Sequence, residues 1–192
     1  MKKILGIALT AGLAATMGVA QAARPTFYVE VDVVGVTTKV VDKTSPPDTS
    51  GTAKVTTLRL KGGAHFLDWL DAELHLVLPK NETFSRVGGT NNVQTAVFGV
   101  FAKPNVTIGR VNIYGLAGIA SGGFTFEGSF VGTEGAASFA YGAGIKVAFT
   151  RNVSGVIEYT QYVRGNIPVS NQSGGLDVDV KAVGIGVNYA FR

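Results

Sequence analysis

The sequence predicts an all-β fold, an eight-stranded antiparallel up-and-down transmembrane β-barrel, on three observations. The last stretch, Lys181 to Arg192, alternates strictly: Val183, Ile185, Val187, Tyr189 and Phe191 are apolar or aromatic, and Gly184, Gly186, Asn188 and Ala190 between them are small or polar. A period of two is a strand with one greasy face, and a greasy face of about 9–11 residues crosses a bilayer when tilted by roughly 45°. The chain also opens on an export leader, and no later apolar run reaches the roughly 18 residues of a membrane helix. Finally, eight alternating segments are joined alternately by long polar loops and short turns, and closure of such strands pairs every backbone group inside lipid.

The leader comes first. Lys2 and Lys3 form a basic start, Ile4 to Val19 is apolar, and Ala20-Gln21-Ala22 is a small-residue cleavage site. Residues 1–22 read as a cleaved signal peptide and 23–192 as the barrel domain. Losing Lys2 and Lys3 leaves a mature charge of about +2 from a formal +4. That surplus is small and unclustered, so nucleic acid is not an expected partner. With no Cys there is no disulfide framework and no thiolate metal site. Only 16% of residues are charged and 26 are Gly, which suits a barrel wall better than a soluble surface.

Strand one spans about Thr26 to Lys39, with Phe27, Val29, Val31 and Val33 opposite Tyr28, Glu30 and Asp32. A loop over 41–52 follows, its tip at Ser45-Pro46-Pro47-Asp48. Strand two, about Ala53 to Phe66, sets Leu58, Leu60, Ala64 and Phe66 against Arg59, Lys61 and His65. Leu67-Asp68-Trp69 is a tight turn. Strand three, about Leu70 to Leu78, sets Ala72, Leu74, Leu76 and Leu78 against Asp71, Glu73 and His75, and Pro79 is expected to end it.

After a loop over 80–92, strand four runs from about Val93 to Ala102. Its faces stay open, because Val97, Phe98, Val100 and Phe101 fall on both. Lys103-Pro104-Asn105 carries a turn signal. Strand five, about Val106 to Ile119, points Val111, Ile113 and Ala117 outward and Arg110, Asn112 and Tyr114 inward. The loop over 120–135 is Gly-rich and carries Phe124, Phe126 and Phe130, and reads as a disordered tip, as a contact surface or as folded down onto an outer aromatic girdle.

Strand six, about Ala136 to Phe149, faces Phe139, Tyr141, Ile145, Val147 and Phe149 away from Ser138, Ala140, Gly142, Gly144 and Lys146. Thr150-Arg151-Asn152 turns the chain. Strand seven, about Val153 to Arg164, sets Ile157, Tyr159 and Val163 against Glu158, Thr160 and Tyr162. A loop over 165–175 leads into the closing strand. Lys181, Arg164 and Arg151 near strand ends could meet lipid phosphates.

An even strand count with short turns on one side and long loops on the other is the outer-membrane layout, with the short turns periplasmic. Phe66, Trp69, Phe101, Phe149, Tyr189 and Phe191 then form the periplasmic aromatic girdle. The whole mature chain resembles the eight-stranded outer-membrane proteins of Gram-negative bacteria, the OmpA-like and OmpX-like transmembrane domains. The resemblance implies insertion into outer-membrane lipid. Gly186-x-x-Tyr189-x-Phe191 resembles the C-terminal signal read by the barrel-assembly machinery, although here Arg192 follows the terminal aromatic. No counterpart of the periplasmic peptidoglycan-binding domain follows strand eight, so wall anchoring is not carried over.

The chemistry lies on the polar faces. Glu30, Asp32, Glu73 and Glu158 alternate with apolar residues, as do Arg59, Lys61, Arg110 and Lys146. An Arg or Lys facing lipid at midplane would cost about 2–4 kcal/mol, so these eight point inward. An eight-stranded barrel is filled by its own side chains, and buried charges must pair. A self-neutralising lumen plug is the leading expectation, and a gated path for ions or small solutes the alternative. His65 and His75 also face inward. Neither belongs to a metal-ligand spacing, so no metal and no cofactor is expected.

A lipid-modifying enzyme is the third reading, since some eight-stranded barrels modify lipid A, and the deacylases of that type carry a His-x-Ser pair plus a Glu on the outer surface. Here His65 precedes Phe66-Leu67 and His75 precedes Leu76-Val77, so no catalytic residue is expected. Gly142-x-Gly144 resembles a dinucleotide loop only faintly, because no helix follows. A soluble lipocalin-like barrel would need large apolar residues inside, where this pattern puts charges. The expected protein is a monomer in the outer membrane, with a structural or surface-interaction role and possible ligands at the loops 41–52, 80–92, 120–135 and 165–175.

Overall fold

Alternation at period two gives every strand one face for lipid and one for the lumen. In the computed structural model, which describes residues 26–42, 49–86, 89–127, 132–168 and 175–191, eight strands do close. They are β1 Thr26–Asp42, β2 Thr49–Leu67, β3 Leu70–Arg86, β4 Gly89–Ile108, β5 Val111–Glu127, β6 Gly132–Ala148, β7 Val153–Pro168 and β8 Gly175–Ala190. Each pairs antiparallel with its sequence neighbour, and β1 pairs with β8 to complete the barrel. The seam is finished by the Phe191 amide donating to the Phe27 carbonyl at 2.8 Å. The leader at 1–22 lies outside the described residues.

The strands are 16–20 residues long, well beyond the roughly 9–11 that a bilayer requires. The outward apolar belt, with Val31, Val33, Leu58, Leu60, Ile113 and Ile185 exposed, occupies the short-turn side. Farther along, Thr37 pairs with Lys54 on β2 and Lys181 on β8, and both lysines are exposed. The wall therefore continues past the belt. Much of the four loop intervals is strand for this reason: an antiparallel ladder satisfies its backbone whether lipid or water lies outside. Only 43–48, 87–88, 128–131 and 169–174 between strands lie outside the described residues, and Phe130 and Ser45 to Asp48 fall there.

Two prolines expected to end strands do not. β3 runs through Pro79, where the β3–β4 register shifts between Val77 and Lys80; a bulge accommodates the missing donor. β4 runs through Lys103-Pro104-Asn105, and the turn falls at Gly109-Arg110, with Gly109 at φ 62, a conformation that favours glycine. Pro104 pairs with Leu70 on β3, while on the β5 side the ladder skips from Ala102–Ala117 to Asn105–Tyr114 without changing register. The proline lacks a donor just where no partner requires one.

Continuity through Pro104 fixes the faces of β4. Phe98 and Val100 point out, and Val97, Phe101, Lys103 and Asn105 point in. On β7, a register shift between Gln161 and Val163 puts Gln161, Tyr162 and Val163 all in buried positions, so Val163 does not join Ile157 and Tyr159 on the lipid face.

Two ladders are shorter than the rest. β2 and β3 pair only from Leu67–Leu70 to Arg59–Val77, and β6 and β7 only from Ala148–Ser154 to Tyr141–Gln161. Beyond those points side chains bridge the strands. Thr57 Oγ1 donates to the Leu78 carbonyl at 3.0 Å and Lys80 Nζ to the Thr56 carbonyl at 2.9 Å. Ser138 Oγ donates to the Tyr162 carbonyl at 3.1 Å and accepts from the Arg164 amide at 3.3 Å.

Candidate functional site in the lumen

Register places the charges before any side chain is considered. Glu30 on β1 lies opposite Lys61 on β2, and Asp32 opposite Arg59. Arg59 donates from Nε to Asp32 Oδ2 at 2.7 Å, and its Nη1 reaches Glu158 Oε1 at 2.9 Å and the Tyr162 hydroxyl at 2.8 Å. Lys61 pairs with Glu30, with Glu158 Oε2 at 2.9 Å and with Asp32 Oδ2 at 3.2 Å. A second centre forms around Glu73: Lys103 Nζ and the Tyr28 hydroxyl both donate to Oε2 at 2.6 Å, and His75 Nε2 lies 2.7 Å from Oε1. His75 Nδ1 meets the Tyr162 hydroxyl at 2.9 Å, and the Tyr114 hydroxyl donates to Glu158 Oε2 at 2.8 Å. The two centres are thus one network spanning β1, β2, β3, β4, β5 and β7. All of its charged members are buried, where an unpaired charge would cost several kcal/mol.

Neighbouring glycines make room for three of the inward side chains. Tyr28 lies across from Gly63, Tyr114 from Gly144 and Asp32 from Gly186. A Cβ at any of these glycines would collide with the partner's side chain. Small opposite large is how a narrow barrel interior is filled. Gly186 therefore stands beside the Asp32 carboxylate as well as in the segment read as an assembly signal.

Six of the eight expected lumen charges, Glu30, Asp32, Arg59, Lys61, Glu73 and Glu158, meet in this network. Arg110 does not: it is exposed in the β4–β5 turn, because β4 runs on to Ile108. Lys146 is half-buried, with its ammonium 5.4 Å from the centre of the Tyr28 ring and no acid at ion-pair distance among the described residues. Lys103 takes the position by Glu73 and was hidden by its place in a turn-like tripeptide. Phe101 is not in the girdle. It is 1% exposed and packs its ring 4.4 Å from His75, since it shares the parity of Lys103. Phe66, Trp69, Phe149, Tyr189 and Phe191 are exposed at the short-turn end, together with Phe27, and Tyr189 meets Phe191 edge-on at 5.1 Å.

Glu73, His75 and Glu158 bring one donor atom each within 4.8 Å, the geometry of a possible cation site. Their donors are occupied, however. Lys103 and Lys61 hold the two carboxylates, and both ring nitrogens of His75 have partners. A metal ion would have to displace an ammonium in a sealed interior. His65, at the lumen's short-turn end, pairs instead with Asp71 at 2.5 Å.

Toward the loop end the lumen changes character. Val34, Val36, Val97, Leu116, Val178 and Val180 form a buried apolar cluster that also includes Phe101 and Tyr162. This second plug was legible in part, since Val34 and Val36 continue the parity of Asp32. At the opposite end the barrel opens into a cavity of 570 Å³ among the short turns, with Arg110, Lys146, Arg151 and Asp68 in its lining. Arg164 and Lys181 are exposed on the outer wall.

The model of the outer membrane protein β-barrel domain matches residues 6–191. No curated protein matches the chain in sequence. Among solved structures it is similar to the outer membrane protein OprG of Pseudomonas aeruginosa, with 15% identity over 87% of this chain and 96% of that one, at a TM-score of 0.58. Neisserial surface protein A gives 15% identity over 86% and 97%, at a TM-score of 0.57. The N-terminal barrel of Pseudomonas aeruginosa OprF gives 17% over 85% and 97%, at 0.50. At these identities the likeness is one of fold.

Proposed function

The chain belongs to the outer membrane protein β-barrel domain family, and on that basis we propose that it is a non-enzymatic structural or surface-interaction barrel whose lumen is a plug. It is exported by a leader cut after Ala22, assembles through the barrel-assembly machinery, and sits in outer-membrane lipid as a monomer with its short turns in the periplasm. The observation that carries the reading is the doubly filled lumen. A buried ion-pair network lies on one side and a buried apolar cluster on the other. An ion crossing it would have to shed its water against the valines after breaking paired charges. Partners are then met by the wall and loops beyond the apolar belt, as the name of the Neisserial surface protein suggests for a barrel of this shape.

Single-channel recording of the refolded mature chain in a planar bilayer tests this. A silent membrane, with insertion verified by protease protection, is the expected result. Discrete steps proportional to salt would replace the plug with a small pore.

A further inference from the structure

We propose that the outer wall around Thr37 is a docking site for the phosphate of an anionic lipid in the loop-side leaflet. The inference rests on the barrel standing in a bilayer and not on its lumen being sealed. Register gathers three lysines about one hydroxyl. Thr37 faces outward on β1, and its direct partners are Lys54 on β2 and Lys181 on β8. Neighbouring strands lie about 4.8 Å apart, and the next residue on the same face of a strand about 7 Å along. The first spacing sets Lys54 and Lys181 on either side of Thr37, and the second sets Lys39 above it. All three lysines are exposed, and none is in an ion pair with a described residue, whereas Arg59, Lys61 and Lys103 in the lumen all are. Three flexible stems rooted within about 7 Å of Thr37 bring their ammonium groups onto one phosphate, with the Thr37 hydroxyl as a further donor.

Height selects a lipid as the occupant. On β8 the outward apolar run from Phe191 back to Val183 is nine residues long, the length of strand that crosses a bilayer. Lys181 is the next outward residue, so it stands at the headgroups of the leaflet opposite the aromatic girdle, and its partners Thr37 and Lys54 stand level with it. Directly below Thr37, Gly35 lies between Thr56 and Val183 and leaves a notch at the top of the apolar belt where the body of a lipid can approach. The acids of the same face are Asp179 and Asp177. Asp179 is opposite Lys39 on one side and Arg164 on the other, and Gln161 Nε2 donates to it at 3.2 Å; Asp177 lies one step farther toward the loops. On the far side of the barrel the exposed residues beyond the belt are Gln94, Ser121 and Ala137, none of them charged. The patch therefore belongs to one side of the wall, where lysine stems lie along the apolar belt and their heads reach the phosphates.

The test is titration of the refolded mature chain in maltoside micelles, which carry no anionic group, followed by NMR shifts of the Thr37, Lys54 and Lys181 amides. The probes are dihexanoyl phosphatidylglycerol, dihexanoyl phosphatidylcholine and glycerol phosphate. A lysine near an anionic headgroup is worth roughly fivefold in affinity. With at least two engaged, phosphatidylglycerol is expected to bind at Thr37 at least tenfold more tightly than phosphatidylcholine, and to weaken as salt rises. Glycerol phosphate, with no chains to hold it beside the belt, should leave these amides unshifted at the same concentration. K39Q/K54Q/K181Q changes only exposed side chains, so it should keep the folded spectrum and lower the preference to less than threefold. R110Q/R151Q removes exposed cations at the short-turn end and should leave it unchanged. Equal affinity for the two lipids, a preference that survives K39Q/K54Q/K181Q or falls as far in R110Q/R151Q, or glycerol phosphate binding as well as the lipid would each overturn the proposal.

Discussion

Arg59 and Asp32 are direct register partners on β2 and β1, and two nitrogens of the one guanidinium, Nε at 2.7 Å and Nη2 at 2.5 Å, converge on the same oxygen, Asp32 Oδ2. The free end of the guanidinium crosses the lumen to Glu158 on β7. One side chain thus ties neighbouring strands together and then ties them to the far wall. Arg59→Ala leaves Lys61 as the one cation against the buried carboxylates of Glu30, Asp32 and Glu158, and a loss of about 3–5 kcal/mol is expected. Urea titration of the refolded variant measures it. An unchanged midpoint would show that the lumen rearranges around the gap.

The pair at Glu73 offers a cleaner separation of terms. Lys103→Met should destabilise by a similar amount, because Glu73 keeps its charge and loses the ammonium 2.6 Å away. Adding Glu73→Gln removes that stranded charge. The double variant is expected to be more stable than Lys103→Met alone, a non-additivity that a double-mutant cycle reads directly. Strict additivity would mean the two groups do not feel each other.

Gly63 is predicted to tolerate no side chain. A methyl there meets the ring of Tyr28, whose hydroxyl holds Glu73. Gly63→Ala should cost about 1–3 kcal/mol through displaced packing. Alanine at Gly62, where a Cβ meets nothing within 4 Å, serves as the control in the same strand. Equal midpoints for the two variants would contradict the Tyr28 placement.

Phe101 and Phe66 separate lumen from girdle. Phe101 is buried against His75 and Tyr162, so Phe101→Ala opens a cavity and should cost about 3–5 kcal/mol. Phe66 is 60% exposed on the outside of the barrel, and its truncation should cost clearly less in the same lipid. The reverse order would put Phe101 back on the lipid face.

Trp69 is the one tryptophan of the chain, and it is exposed at the short-turn end, so its fluorescence reports that end alone. Refolding into bilayers is expected to shift its emission to the blue, with stronger quenching by lipids brominated near the headgroup than by those brominated deep in the tails, as suits an interfacial aromatic. Deep quenching would place the short turns inside the hydrocarbon.

Most of the wall was legible because alternation is local and needs no tertiary knowledge. Phe27 to Val33 reads correctly from seven residues. The errors share one origin at β4. Lys103-Pro104-Asn105 has the chemistry of a turn, and only the lapse in pairing toward β5 shows why a strand can pass through it. Misplacing that turn put Arg110 in the lumen, sent Phe101 to the lipid and concealed Lys103. The apolar half of the lumen was missed for a different reason. Val34, Val36, Val178 and Val180 come from strands whose outer face turns polar at the same height, so the inward face becomes the greasy one. Alternation reports a contrast between faces, and the sign of that contrast reverses where the wall leaves the lipid.

The two shortened ladders give the barrel a mechanical division. They lie four strands apart, one between β2 and β3 and the other between β6 and β7. Beyond them the wall consists of two leaves of four strands, β7-β8-β1-β2 and β3-β4-β5-β6. Each leaf is fully laddered within itself, and the two meet over the valine cluster and a few side-chain hydrogen bonds. On the membrane side the same strands form an uninterrupted ring braced by the ion pairs. Force applied at the loop end therefore opens the leaves like a pair of jaws, breaking a handful of side-chain bonds, while the ring that seats the protein in lipid keeps its shape.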